Sequence, residues 1–229
     1  MFKTATKYLK SIAKLALGRG VYHSYAHQGE DVVIGGLLKW IKNGIYVDVG
    51  AYHPALYSNT YALYKKGWQG IVIDPNIDMK PMYAMMRPRD TFVHTAVGPI
   101  AGETPYYMFD DGAYNSFDEG RAKSWKASRG LEIKEVRRVS FKPLSQILHE
   151  QKITKIDFLN IDAEGFDFEV LKTHDWSIET SVIAIEEEEF NPDAPHGNAI
   201  YQYMHEKGYV LAGLAGLTLI FRKPKENNP

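Results

Sequence analysis

The chain has 229 residues, 45% of them apolar and 24% charged, a globular balance long enough for one domain with a sizeable core. A formal net charge of -1 disfavours nucleic acid or any acidic polymer as a partner. The absence of cysteine removes disulfides, thiolate metal sites and a thiol nucleophile, which fits a reducing cytoplasm.

Residues 1–23 stand apart from the rest. Lys3, Lys7, Lys10, Lys14 and Arg19 punctuate Phe2, Leu9, Ile12, Ala13, Leu15, Ala16 and Leu17 with no acid among them, the pattern of a short basic amphipathic helix. It has neither the uninterrupted apolar core nor the cleavage site of a signal peptide, and no stretch of the chain approaches the roughly 18 to 20 apolar residues of a membrane span. Such a helix lies on anionic lipid, at the inner face of a membrane, or on a protein partner; the alternative is a surface helix packed on its own domain.

Residues 24–229 read as alternating strands and helices around a mostly parallel sheet. Strands are expected near 45–50, 70–74, 91–97, 156–161, 182–187, 209–214 and 217–222, with helices at 59–66, 143–149, 166–173 and 198–207. The last two strands are joined closely enough to pair antiparallel, so the seven-stranded sheet is mixed at one edge. Residues 99–140, rich in glycine, proline, aromatics and charge, interrupt the rhythm as an insertion after the third strand, where they would cover the active edge.

Chemistry concentrates at the strand ends. The run Val47-Asp48-Val49-Gly50-Ala51 is an apolar strand passing through an acid into a glycine turn, where backbone can approach a ligand closely. The next strand ends in Asp74, placed to accept hydrogen bonds from the ribose hydroxyls of an adenosine ligand. The missing third glycine of a dinucleotide fingerprint argues against NAD or FAD. Ile161-Asp162-Ala163-Glu164 and Glu186 through Glu189 deliver further carboxylates to the same edge. There they can act as a general base, attract a cationic sulfonium or hold a divalent metal ion. Period-two alternation sends Glu186 and Glu188 to one side and Glu187 and Glu189 to the other.

The whole constellation resembles FkbM-type methyltransferases from Ser24 to Arg222. It comprises Ser24 with Gln28-Gly29-Glu30-Asp31, Val47-Asp48-Val49-Gly50-Ala51, Ser58-Asn59-Thr60, Gly67-Trp68-Gln69-Gly70, Ile73-Asp74-Pro75 and Ile161-Asp162-Ala163-Glu164-Gly165. The resemblance implies a class I, Rossmann-like, doubly wound α/β fold, S-adenosylmethionine as cofactor, and O-methyl transfer to a hydroxyl of a sugar, glycan or related small-molecule metabolite. It implies further that Asp48, Gly50 and Ala51 line the methionine part and that Asp74 holds the ribose. Asn59 and Thr60 would meet the cofactor carboxylate, Ala96 would border the adenine, and Gln28 would belong to a lid or wall. The chain departs from the family's usual glycine turn by placing Tyr52, His53 and Pro54 after Gly50.

Asp162 is the candidate general base, also within reach of the cofactor, and His53 is a second catalytic candidate. Tyr114, Glu164 and Glu187 are assigned to the acceptor, with the insertion's aromatics beside them. A divalent ion on Asp162, Glu187 and Glu188 is the alternative way to acidify a hydroxyl. Two other classes share parts of the pattern: a nicotinamide-dependent oxidoreductase acting on a nucleotide sugar, and a noncatalytic Rossmann-like interaction module.

Overall fold

The computed structural model describes residues 2–18, 20–99, 101–163 and 165–224. In chain order the elements are α1 Phe2–Ala16, α2 Glu30–Leu37, β1 Ile45–Val49, α3 Tyr61–Tyr64, β2 Gln69–Asp74, α4 Lys80–Met86, β3 Thr91–His94, β4 Ala96–Val97 and β5 Gly102–Met108. They continue with α5 Glu119–Arg129, β6 Glu135–Lys142, α6 Leu144–Glu150, β7 Lys155–Ile161, α7 Asp167–Lys172, β8 Glu179–Glu186, α8 Ala199–Glu206, β9 Val210–Ala215 and β10 Thr218–Arg222. Seven strands form one sheet in the order β3-β2-β1-β7-β8-β10-β9, and β4, β6 and β5 form a small second sheet.

The central strands are apolar along their whole length because helices cover both faces of the sheet. On one face Val47, Val49, Leu159, Ile161 and Ile183 meet Leu148 of α6, Leu171 of α7 and Met204 of α8. On the other, Tyr46, Val72, Phe158 and Ile220 meet Ile34 of α2, Leu63 of α3 and Tyr83 of α4. The fold is thus doubly wound, as expected. β1 pairs in parallel with both β2 and β7, so the order of strands reverses at β1, where a ligand crevice opens beyond the carboxyl ends.

The mixed edge is built by β10, which runs antiparallel between β8 and β9. Asn198 caps the helix that leads into this edge, its side chain accepting from the Tyr201 amide.

Several elements differ from the sequence reading. The strand expected over 91–97 stops at His94, and the buried Thr95 hydroxyl donates to the Ser140 carbonyl at 2.8 Å. Ala96–Val97 then leave the main sheet to pair with β6. The insertion is accordingly ordered structure and not a loop: β5 and β6 pair antiparallel, α5 is capped by Asp118, and Ala96, Tyr106, Met108 and Val139 form its own small core. The strand expected to reach residue 187 ends at Glu186, after which the chain turns.

α2 was not anticipated, since Gly35 and Gly36 within it lower helix propensity. Its first turn is fixed by side chains. Asp31 accepts from the Ser24 hydroxyl at 2.7 Å and the Tyr25 amide at 2.8 Å, while Glu30 accepts from the Gln28 amide at 2.7 Å. The motif Gln28-Gly29-Glu30-Asp31 is therefore a cap as well as a wall. None of the described helices is long and apolar enough to cross a membrane.

Candidate active site

A cavity of about 450 Å³ lies beyond the carboxyl ends of β1, β2 and β7, roofed on one side by the small sheet. Gln28, Asp48, Gly50, Ala51, Asn59, Asp74, Ala96, Asp162 and Tyr114, all singled out from the sequence, line it. Thr60, His53, Glu187 and Glu188 do not.

The turn after β1 is held open by backbone geometry. Gly50 has φ of 73°, and a Cβ there would run into the backbone carbonyl of Asp162. The Gly50 and Ala51 amides both donate to the Ile73 carbonyl, at 3.0 and 3.3 Å, and Asp162 N donates to the Val49 carbonyl at 3.1 Å. Three strand ends are thereby tied around one floor.

Asp48 is 2% exposed, and burial pushes its carboxyl above the usual carboxylate range, opposed by the nearby Arg87 guanidinium and by hydrogen bonds from Thr60 and Asn160. Thr60 Oγ1 donates to Oδ2 at 2.5 Å and Asn160 Nδ2 to Oδ1 at 2.9 Å. Asn160 Oδ1 in turn accepts from Asn59 Nδ2 at 2.9 Å. That bond fixes the Asn59 amide so that its carbonyl Oδ1, buried, has no protein partner.

This corrects the expectation for Asn59 and Thr60. The amides at the start of α3, which would have met a carboxylate, turn instead to the Ser58 hydroxyl, with Tyr61 N at 3.1 Å and Thr60 N at 3.4 Å. Thr60 itself is fully buried behind Asp48. What Asn59 and Asp48 offer the cavity is acceptors and negative charge, the complement of an ammonium group.

Behind them sits a residue the sequence reading missed. Arg87, 1% exposed, donates through Nη2 to Thr60 Oγ1 and to Tyr46 Oη, both at 2.9 Å, and through Nε to Asp90 at 2.6 Å. Its plane lies against Tyr46, Tyr64 and Tyr83. A buried ion pair of this kind costs desolvation and survives because every polar partner is met. The signal in the sequence was only an arginine before Pro88, with its tyrosines scattered over other elements.

At the end of β2, Asp74 accepts from Tyr52 N at 2.8 Å and Asn76 N at 2.7 Å, closing the turn before and after it. Burial raises its pKa to about 6 against the pull of those two amides. Each oxygen keeps acceptor capacity toward the cavity, as a ribose diol needs.

His53 serves its own loop. Nδ1 accepts from Ala55 N at 3.0 Å and Leu56 N at 2.9 Å, and burial lowers its pKa, so the ring is held neutral as a turn cap.

At the acidic edge Glu186 and Glu187 take opposite sides, as alternation requires, but it is Glu186 and not Glu187 that lines the cavity, hydrogen-bonded to the Asp162 side chain. Burial raises its pKa, the Glu188 charge adds to the rise, and Arg121 opposes it. Glu187 turns outward and accepts from Glu189 N at 3.1 Å, while Glu188 pairs with Arg121 at 3.1 Å. The metal set named from the sequence is therefore not brought together.

Among the described residues, Asp162, Asp167 and Glu186 converge instead, with one ligand oxygen each within 4.8 Å. Asp167, its pKa raised to about 7 by burial, accepts from the Ala163 and Gly165 amides at 2.8 and 3.0 Å, one on each oxygen. These three carboxyl groups supply half of the six or so oxygens a hard cation takes, the remainder being water or substrate oxygens in such sites. Glu164 lies outside the described residues.

Tyr114, Tyr106 and Phe117 of the insertion line the opposite wall, and the last two also pack on one another, their ring centroids 4.6 Å apart and their planes tilted by 34°. The aromatic segment is thus both a small core and a cavity wall.

The sequence model of the methyltransferase FkbM domain matches residues 48–211. No curated protein matches the chain in sequence. Among solved structures, the 1,6-didemethyltoxoflavin-N1-methyltransferase of Burkholderia thailandensis, with its substrate and S-adenosylhomocysteine bound, is similar over 97% of this chain and 89% of its own, at 11% identity and a TM-score of 0.45. A TehB-like SAM-dependent methyltransferase of Corynebacterium glutamicum is similar over 97% of this chain and 98% of its own, at 13% identity and a TM-score of 0.41. With the domain model spanning the cavity from Asp48 through Glu186, the chain belongs to the FkbM methyltransferase family and uses S-adenosylmethionine as its methyl donor.

Proposed function

We propose that the chain transfers a methyl group to a hydroxyl oxygen of a sugar, glycan or related small metabolite. The observation that carries this reading is the Asp162–Glu186 carboxyl pair on the cavity wall. A hydroxyl is a poor nucleophile until its proton is taken, and a carboxylate whose pKa has been moved upward toward neutrality is a fitting acceptor for that proton. Amines that are already neutral need no such pair.

The cofactor, when bound, supplies an electrophilic methyl on a sulfonium. The chain's residues do the rest. Asn59 Oδ1 and the Asp48 charge receive the ammonium, Asp74 accepts from the ribose hydroxyls, and Ala96 with Val97 gives the adenine an apolar wall. Gly50 keeps side-chain bulk out of the turn. Glu186 takes the acceptor proton while Asp162 holds the Glu186 carboxyl in place by their hydrogen bond. Tyr114, Tyr106 and Phe117 provide flat faces on which a sugar ring stacks and from which water is excluded.

The test is incubation with methyl-tritiated S-adenosylmethionine and a panel of sugars, nucleotide sugars and glycans, followed by alkaline hydrolysis. Label that survives in an ether on one acceptor is expected. Label carried only on nitrogen, with hydroxyl-bearing compounds inert, would refute the reading.

A further inference from the structure

We infer that α1 is a docking element for anionic lipid surfaces, lying flat in the headgroup layer while the catalytic domain stands off it. Charge is the first ground. Residues 1–29 hold five of the 27 basic residues and none of the 28 acidic ones, so this segment carries +5 and the remaining chain -6. A polarity of that kind orients the molecule: the helix is drawn to a negative surface and the domain is repelled by it.

Geometry is the second ground. On an α-helix, positions 7, 10 and 14 share one face by their spacing of three and four, as do 8, 12 and 15 on the other side together with 9 and 16. Lys7, Lys10 and Lys14 therefore form a cationic stripe, with Tyr8, Leu9, Ile12, Leu15 and Ala16 opposite. The helix does not use its domain to bury that apolar face. Every described residue from Thr6 to Gly18 is exposed, with Tyr8 at 64%, Leu9 at 67%, Ile12 at 62% and Leu15 at 66%. Packing on its own domain, the alternative weighed above, is absent among the described residues.

Size decides how the helix sits. At 1.5 Å per residue, its 15 residues reach about 22 Å, short of the ~30 Å hydrocarbon core, and the lysines forbid a transverse position. A helix with this division of faces lies parallel to the surface, apolar side inward. An uncharged apolar partner would satisfy the leucines and leave the lysine stripe without a purpose; a negatively charged lipid layer satisfies both.

The test is co-sedimentation of the full chain with vesicles of phosphatidylcholine alone, and with vesicles of a two-to-one mixture of phosphatidylcholine and phosphatidylglycerol. Binding to the mixed vesicles and not to the neutral ones is expected, falling with added salt. K7Q/K10Q/K14Q should weaken it on the order of 100-fold at low salt, from about 1 kcal/mol per lysine. I12E should abolish it, and neither variant should move the thermal midpoint of the domain. Absence of binding to the anionic vesicles overturns the inference, and so does equal binding to both kinds. A doubling of mass by light scattering that I12E reverses, without vesicle binding, would identify a second copy as the occupant and equally overturn it.

Discussion

Thr60 donates its hydroxyl to Asp48 at 2.5 Å while accepting from the Arg87 guanidinium at 2.9 Å, so a single side chain transmits a buried positive charge to the acid beneath the cavity. Thr60→Val keeps the shape and deletes both bonds. Two buried charged groups then each lose one of their partners, which should cost about 2 to 4 kcal/mol of stability by urea denaturation. Thr60→Ser should recover most of the loss. Equal destabilisation by serine and valine would show that the methyl group, and not the hydroxyl, is what matters there.

Gly50→Ala meets two obstacles at once, a φ of 73° and the Asp162 carbonyl in the way of a Cβ. Strain of roughly 1 to 3 kcal/mol is expected from the backbone alone, with further displacement of Asp162. Adenosylmethionine affinity should fall together with the unfolding midpoint; an unchanged affinity would mean the turn does not need its present shape.

Glu186→Gln should lower the rate of methyl transfer by about 100- to 10,000-fold, the usual range for a lost general base, with cofactor affinity unchanged by calorimetry. His53→Ala is the contrasting case. It removes the cap on the Ala55 and Leu56 amides, costing on the order of 1 kcal/mol, and leaves the pH dependence of the rate as it was. A lost alkaline or acidic limb in His53→Ala would restore this histidine to the chemistry.

The pH dependence of stability follows from Asp74 and Asp167, whose pKa values in the fold are raised to about 6 and about 7 from the 3.8 usual for an aspartate. An acid whose folded pKa exceeds its unfolded one opposes folding while ionised. As pH falls from 7 toward 4, the folded state takes up protons before the unfolded state does, so these two groups make the cofactor-free protein more stable. Cofactor affinity moves the other way, because a protonated Asp74 accepts poorly from ribose hydroxyls. Titrations between pH 5 and 8 should show weaker binding below about 6, and proton release on binding there.

The sheet, its two covered faces and the mixed edge were legible because strand periodicity and apolar runs report burial directly. The place of Asp48, Gly50, Asp74 and Asp162 on the cavity was legible because each sits at or just beyond a strand's carboxyl end, where a crevice opens in such a sheet. Thr60 and Glu187 were misplaced for a common reason: their roles depend on where an element stops. Ser58 takes the amides at the start of α3, and Glu186, the last residue of β8, takes the cavity side, which alternation then denies to Glu187. Arg87 was invisible because its partners Tyr46, Thr60, Tyr83 and Asp90 converge from separate elements. The division of the 91–97 strand at Thr95 was hidden likewise, since its cause is a bond to Ser140, 45 residues away.

The claim that the crevice beyond β1 and β2 is the cofactor site is tested most directly by calorimetric titration of S-adenosylmethionine into the wild-type chain and into Asp74→Asn. The loss of hydrogen bonds to a charged acceptor should weaken binding about 10- to 100-fold, with the thermal midpoint confirming that the domain remains folded. Wild-type affinity in a folded Asp74→Asn protein would contradict the placement of the ribose, and with it the orientation assigned to the whole cofactor.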